Sequence, residues 1–224
     1  MKSKYKNILF DLDGTITDSA NCIINGVKYG IHKMNDIYPN LNIILPEDDI
    51  LKKFIGPPLD ISFKKYIYDD QDKAMEFISY YREDYDGNNG LLNCTLYDGI
   101  YDLIQTLHNN NFNIYLATAK PLESAVRIIK HFDLDKYFTK MYGAILGGAI
   151  KNKLDVLKEA YLKENFNKNE TLMIGDRIDD IAGSKNMGFD SIAVRYGFGN
   201  DEEFRDATYI ADNTKQILDI IITK

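Results

Sequence analysis

Asp11 and Asp13 stand one residue apart at the end of the apolar run Ile8-Leu9-Phe10, and Gly14 and Thr15 break the regularity directly after them. Such a run reads as a buried parallel strand, and open α/β sheets keep their ligands at the carboxyl ends of these strands. Side chains alternate along a strand, but a turn at Gly14 lets the two carboxylates converge on one cavity while Leu12 points back into the core. A hard cation such as Mg²⁺ takes oxygen ligands and sheds its waters reluctantly, so Asp11 and Asp13 with substrate oxygens would suit it. Beside a cation Asp11 would stay ionised and able to attack phosphorus. Asp13 could protonate a leaving alkoxide and later activate water.

Two further stretches end in the same manner. In NIYLATAKP the short apolar strand Ile114-Tyr115-Leu116 leads to Ala117, Thr118, Ala119 and Lys120. A hydroxyl and backbone N–H groups at a strand end, next to a helix start, are suited to phosphate oxygens. In TLMIGDRIDD the strand Thr171–Ile174 turns at Gly175-Asp176, and Asp179 and Asp180 open the following helix, where the dipole favours carboxylates and their approach to a metal.

The elements that must position these residues follow from periodicity. From about Ala20 to Tyr85 every segment reads as helix: ANCIINGVKYGIHKMNDIY, PEDDILKKFIG, LDISFKKYIY and DQDKAMEFISYYREDY, with Asp18 or Ser19 as first cap and Pro46 opening the second helix. The stretch Gly87–Gly90, GNNG, is a flexible exit. Beyond it strands and helices alternate, through Ile192–Val194, a glycine-rich loop, a short strand and a C-terminal helix. This pattern implies an α/β fold: a doubly wound, Rossmann-like parallel sheet core, residues 1–17 and 91–224, with an inserted all-helical cap domain, residues 18–90.

The run DLDGTITDS resembles the first signature of the haloacid dehalogenase superfamily, in its aspartyl-phosphate-forming phosphatase branch. ATAK, the Lys153 region and GDRIDD resemble its second to fourth motifs, in order, and the helical insert resembles its cap. The resemblance covers nearly the whole chain. It implies Asp11 as nucleophile, Asp13 as acid/base, Thr118 as phosphate-binding hydroxyl, and a lysine at the start of the helix after the third strand. Lys153 fits that register better than Lys151. It further implies Mg²⁺ held by Asp176 directly and by Asp180 directly or through a water, with Asp179 as a capping residue or a further participant. FIGPPL, Phe54 to Leu59, resembles the cap loop of phosphoglycolate-phosphatase-like members, and together with YGFG it points to a 5′-nucleotidase-like subgroup. The implied substrate is a small-molecule phosphomonoester. A phosphosugar mutase or a non-catalytic binding protein stays open beside the phosphatase. Asp13 counts against a dehalogenase.

Composition sets outer limits. The chain has 224 residues, 45% hydrophobic and 27% charged, enough to bury a sizeable core in one or two domains. A net charge of -7 argues against nucleic acid or a membrane surface as partner, so cations that bind an anion must be concentrated locally. Cys22 and Cys94 have neither metal-ligand spacing nor a disulfide framework and read as small core residues in a reducing compartment. The basic N-terminus meets aspartates too soon to be a signal peptide, and no segment is long enough to span a bilayer, so a cytoplasmic monomer or homodimer is expected. The histidines, His32, His108 and His131, read as packing or surface residues.

Overall fold

Six parallel strands form the central sheet of the computed structural model, which describes residues 3–56 and 59–223. In chain order the strands are β1 (Asn7–Phe10), β4 (Asn113–Pro121), β5 (Lys140–Ala144), β6 (Thr171–Gly175), β7 (Asp190–Val194) and β8 (Tyr209–Ala211). Two short strands, β2 (Thr17–Asp18) and β3 (Thr95–Leu96), pair separately and antiparallel. The sheet order is β5-β4-β1-β6-β7-β8, so β1 lies inside and the winding reverses beside it, at the place where α/β sheets open a crevice.

The runs that fill these strands are apolar on both faces because helices cover both sides. Leu9, Tyr115 and Met173 point one way, into a cluster with Val156, Leu157 and Ala160 of helix α7 (Lys153–Glu164). Ile8, Phe10, Ile114, Leu116, Leu172 and Ile174 alternate with them and are fully buried on the other face. Helix α8 (Ile178–Met187) packs on α7, and α5 (Ile100–Asn109) packs on α9 (Thr214–Thr223), while α6 (Leu122–His131) lies along β4 and β5.

Register matters most for function. Phe10 is aligned with Leu116 on one side and Ile174 on the other. Asp11, the first residue past β1, therefore comes level with Ala117 of β4 and Gly175 of β6, and its N–H donates to Ile174 O at 2.9 Å. The chain then folds back tightly: Gly14 adopts φ +83°, and the N–H groups of Ile16 and Thr17 both bond Leu12 O at 2.9 Å. Leu12 itself is fully buried.

The second compact unit is Ser19–Cys94, and its described elements are all helical: α1 (Ala20–Ile37), α2 (Asp48–Leu51), α3 (Leu59–Tyr66) and α4 (Gln71–Arg82), with short 3-10 turns between them. Its core is aromatic. Phe77 is buried among Phe54, Phe63 and Tyr81, with ring centroids 6.2, 4.7 and 6.5 Å away. Gly26 and Gly30 lie one turn apart on α1, and the rings of Tyr81 and Phe77 fill the space where their side chains would be.

Several expectations differ in detail. The unit closes at Cys94, not at Gly90, because Gly90–Leu92 forms a 3-10 turn that packs on α1 with Leu91 fully buried. Asp18 belongs with the sheet unit through its pairing with Thr95. Ser19 does occupy the first cap, but its hydroxyl makes no capping bond. The segment after Pro46 forms only one α-turn before tightening to 3-10 at Lys52–Phe54. In the loop Phe54 to Leu59, Phe54 is a core residue at 1% exposure, and Pro57 and Pro58 lie outside the described residues. Among the described residues no helix is long and apolar enough to cross a membrane.

Candidate active site

The carboxyl ends of β1 and β6 deliver the first two acidic groups. Asp11 follows β1 and Asp176 follows β6, and both are buried. Asp180 sits on the first turn of α8, where its Oδ2 accepts from the N–H groups of Asp176 and Arg177 at 3.1 Å each. That fold-back satisfies orphan N–H groups at the helix start and turns the other oxygen inward. Oxygen atoms of Asp11, Asp176 and Asp180 all lie within 4.8 Å of one another.

Lys153 enters from the first residue of α7. Asn152 caps that helix, its side chain accepting from Asp155 N–H at 3.0 Å, and this fixes the direction in which the next residue projects. The Lys153 ammonium lies 2.6 Å from Asp11 Oδ1 and 2.8 Å from Asp180 Oδ1, and donates to Ala117 O at 2.7 Å. Burial disfavours its charge, but Asp11 and Asp180 outweigh that and hold its pKa above the ordinary lysine value. Asp11 is pushed up to about 6, chiefly by burial, against the pull of Lys153. Burial, then the neighbouring Asp180 and Asp11, also raise Asp176 well above the usual carboxylate range.

One ammonium among three buried carboxylates leaves an excess of negative charge that burial makes costly. A hard divalent cation would offset it with the oxygen donors such an ion takes. The donor set fits Mg²⁺, with Asp11, Asp176 and Asp180 as the residues that would hold it.

Asp176 is held from several sides. Thr15 Oγ1 donates to its Oδ1 at 3.2 Å and Phe198 N–H to its Oδ2 at 2.8 Å. Gly14 and Gly197 press on it so closely that a Cβ at either position would overlap its side chain. Tyr196 donates to Thr15 O at 3.1 Å, and its ring lies 4.7 Å from that of Tyr97. Burial raises both phenols above their ordinary value, helped by Asp18, Asp176 and Asp13 at Tyr97 and by Asp176 and Tyr97 at Tyr196.

The other expected residues divide as follows. Thr118 is buried in β4, just before the register with β5 shifts, and its hydroxyl accepts from Lys120 N–H at 3.1 Å. Asp13 was expected to share the cation with Asp11, yet its carboxylate stands outside the acidic cluster. The turn at Gly14 carries it away, and its Oδ2 pairs with the Lys120 ammonium at 2.7 Å. Lys151 is exposed and reaches Asp155 only through its N–H, so Lys153 is the lysine at the carboxylates. Asp179 is exposed, outside the cluster, and lines a cavity of about 220 Å³ with Asn152 and Asn186. Lys120 and Thr15 were given no role from sequence, and the Tyr196–Phe198 segment entered only through the YGFG run of the resemblance. Lys120 follows Thr118 by two residues and the YGFG glycines mark a tight loop, but neither signal names a partner.

A carboxylate at the end of an inner strand, two more at the end of the neighbouring strand and a lysine between them can together hold a hard cation and an anionic group. Residues 8–194 match the haloacid dehalogenase-like hydrolase family. The chain belongs to that family, and within it to the phosphatases. It is 36% identical over 202 residues to a 5′-nucleotidase of Pseudomonas aeruginosa, covering 90% of this chain and 88% of the relative. It is 30% identical over 219 residues to the pyrophosphatase PpaX of Halalkalibacterium halodurans, covering 97% of each. A solved structure from Clostridium difficile, provisionally designated a phosphatase, superposes with a TM-score of 0.86 at 36% identity, over 98% of this chain and all of that one.

Proposed function

We propose that the chain is a Mg²⁺-dependent phosphomonoester hydrolase that works through an aspartyl-phosphate on Asp11 and acts on a small phosphorylated metabolite, either a nucleoside 5′-monophosphate or a phosphoglycolate-like acid. The observation that carries this reading is the juxtaposition of Asp11, Asp176, Asp180 and Lys153 at the carboxyl end of β1, with Asp13 held apart on Lys120. The name of one relative, a 5′-nucleotidase, supports a nucleoside 5′-monophosphate, whereas the name of another, a pyrophosphatase, points to a phosphoanhydride.

In the first step an Asp11 oxygen forms a bond to phosphorus as the ester P–O bond breaks, and Asp13 gives its proton to the departing oxygen. In the second, water attacks the same phosphorus, Asp13 takes its proton, and the carboxylate of Asp11 is released. Lys153 holds Asp11 in place and offsets charge on the phosphoryl oxygens, and the Thr118 hydroxyl donates to one of them. Asp11, Asp176 and Asp180 would hold Mg²⁺, which would supply electrostatic stabilisation of the transferring group.

The test is phosphate release, with and without Mg²⁺, from 2-phosphoglycolate, several nucleoside 5′-monophosphates and sugar phosphates, with Asp11→Asn alongside. One dominant substrate and an inactive variant support the proposal. Isomerised sugar phosphate without free phosphate points to a mutase, and no turnover of any member points to a binding role.

A further inference from the structure

We propose that Lys120 is the positioning residue of the proton-transfer step, fixing Asp13 so that its Oδ1 is the oxygen that meets the leaving group. The proposal rests on the assignment of Asp13 as proton donor above. Lys120 lies in β4 two residues after Thr118, where the register with β5 shifts, and its ammonium sits 2.7 Å from Asp13 Oδ2 with side-chain exposures of 8% and 22%. The two residues are 107 positions apart in the chain, so the pair is a tertiary link between the ends of two neighbouring strands. Asp13 Oδ1, by contrast, is buried and has no hydrogen-bond partner. A buried carboxylate oxygen without a partner is costly unless something it meets in use supplies one.

Chemistry then decides between the two oxygens. An ammonium is a donor only, so the oxygen facing Lys120 must accept and cannot carry a proton. Any proton on Asp13 sits on Oδ1. As the Asp11–phosphorus bond forms and the ester P–O bond breaks, the electron pair stays on the leaving oxygen, and the Oδ1 proton passes to it. When water attacks, its oxygen bonds to phosphorus, the Asp11–phosphorus bond breaks, and the water proton returns to Oδ1. Lys120 exchanges no proton; it stops the carboxyl from rotating. The Lys120 N–H bond to Thr118 Oγ1 ties this anchor to the expected phosphate-binding hydroxyl, so donor and phosphate site are set by one short segment.

Leaving-group dependence tests this, because an alkyl ester needs its oxygen protonated and an activated aryl ester does not. Lys120→Met is expected to lower kcat for a primary alkyl phosphate about 100-fold while p-nitrophenyl phosphate loses less than about fivefold, in line with general-acid contributions. Lys120→Arg, which keeps a donor cation, is expected to recover part of the alkyl rate, and Lys120→Met with Asp13→Asn to be no slower than Asp13→Asn alone. Lys120→Gln, with thermal unfolding of each variant, provides a folded alternative if the methionine variant is unstable. Equal losses on both esters, or additive effects in the double variant, overturn the proposal while leaving the hydrolase reading intact. A wild-type chain that releases phosphate from neither ester overturns both.

Discussion

Lys153 Nζ lies 2.6 Å from Asp11 Oδ1, and the side chains are only 3% and 11% exposed. Neither charge has much access to water, so each depends on the other. Removing one partner of a buried pair leaves the other charged in a poorly solvating site, at about 3–5 kcal/mol. Lys153→Met should lower the unfolding free energy by about that amount. Denaturant titration of the metal-free protein at neutral pH checks it; a loss under about 1 kcal/mol, the scale of an exposed pair, would show that water reaches the site.

The same cluster predicts a response to metal. An ion that binds the folded state alone stabilises it by about 2.7 kcal/mol at a hundredfold excess over Kd. Mg²⁺ should therefore raise the unfolding midpoint in a saturable manner, whether or not a substrate is known. Asp176→Asn, which keeps the shape and removes the charge, should abolish the shift. A shift that survives in this variant would place the ion elsewhere.

How much of this was legible beforehand depends on the distance over which each signal acts. The strands were readable because doubly covered strands are nearly continuous apolar runs, and NILF, IYLA and TLMI are short runs of that kind, two of them ended by Asp11 and Gly175. Lys153 was preferred to Lys151 through the register of the resemblance, and the Asn152 cap, which accepts from Asp155 N–H, puts Lys153 at the helix start. The acidic cluster followed from strand ends that register side by side. What stayed hidden is tertiary. Thr15 meets Asp176 across 161 residues and Lys120 meets Asp13 across 107, and no local pattern marks either pair. Asp13 is a related case: its carboxylate pairs with Lys120 of the neighbouring strand, outside the group formed by Asp11, Asp176 and Asp180, and no local pattern marks that side.

Gly197 offers a test of how rigidly Asp176 must be held. A Cβ there would overlap both the Asp176 side chain and the Gly14 carbonyl, and the second obstacle is backbone that cannot rotate away. Overpacking of this kind costs about 1–3 kcal/mol. Gly197→Ala should show that loss in denaturant unfolding and should also weaken Mg²⁺-induced stabilisation, because Asp176 is displaced along with its bond from Phe198 N–H. Loss of stability with unchanged response to Mg²⁺ would mean that Asp176 can shift without leaving the cation.

Far from the site, Asp190 supplies a pH test with a defined sign. Burial raises its pKa, but hydrogen bonds from Lys4 at 2.6 Å and Tyr5 at 2.7 Å outweigh burial and hold it below the ordinary carboxylate value. An acid whose folded pKa is depressed contributes stability that is fully present above its unfolded value, near 3.9, and is lost as pH falls through the folded value. The pair is partly exposed, with side chains 44% and 31% accessible, so the contribution is modest, roughly 1 kcal/mol. Asp190→Asn should therefore be less stable than the wild type at pH 7, and the two unfolding free energies should converge as pH falls below about 4. A gap that is constant across this range would assign the effect of the substitution to the shape of the amide and not to the charge.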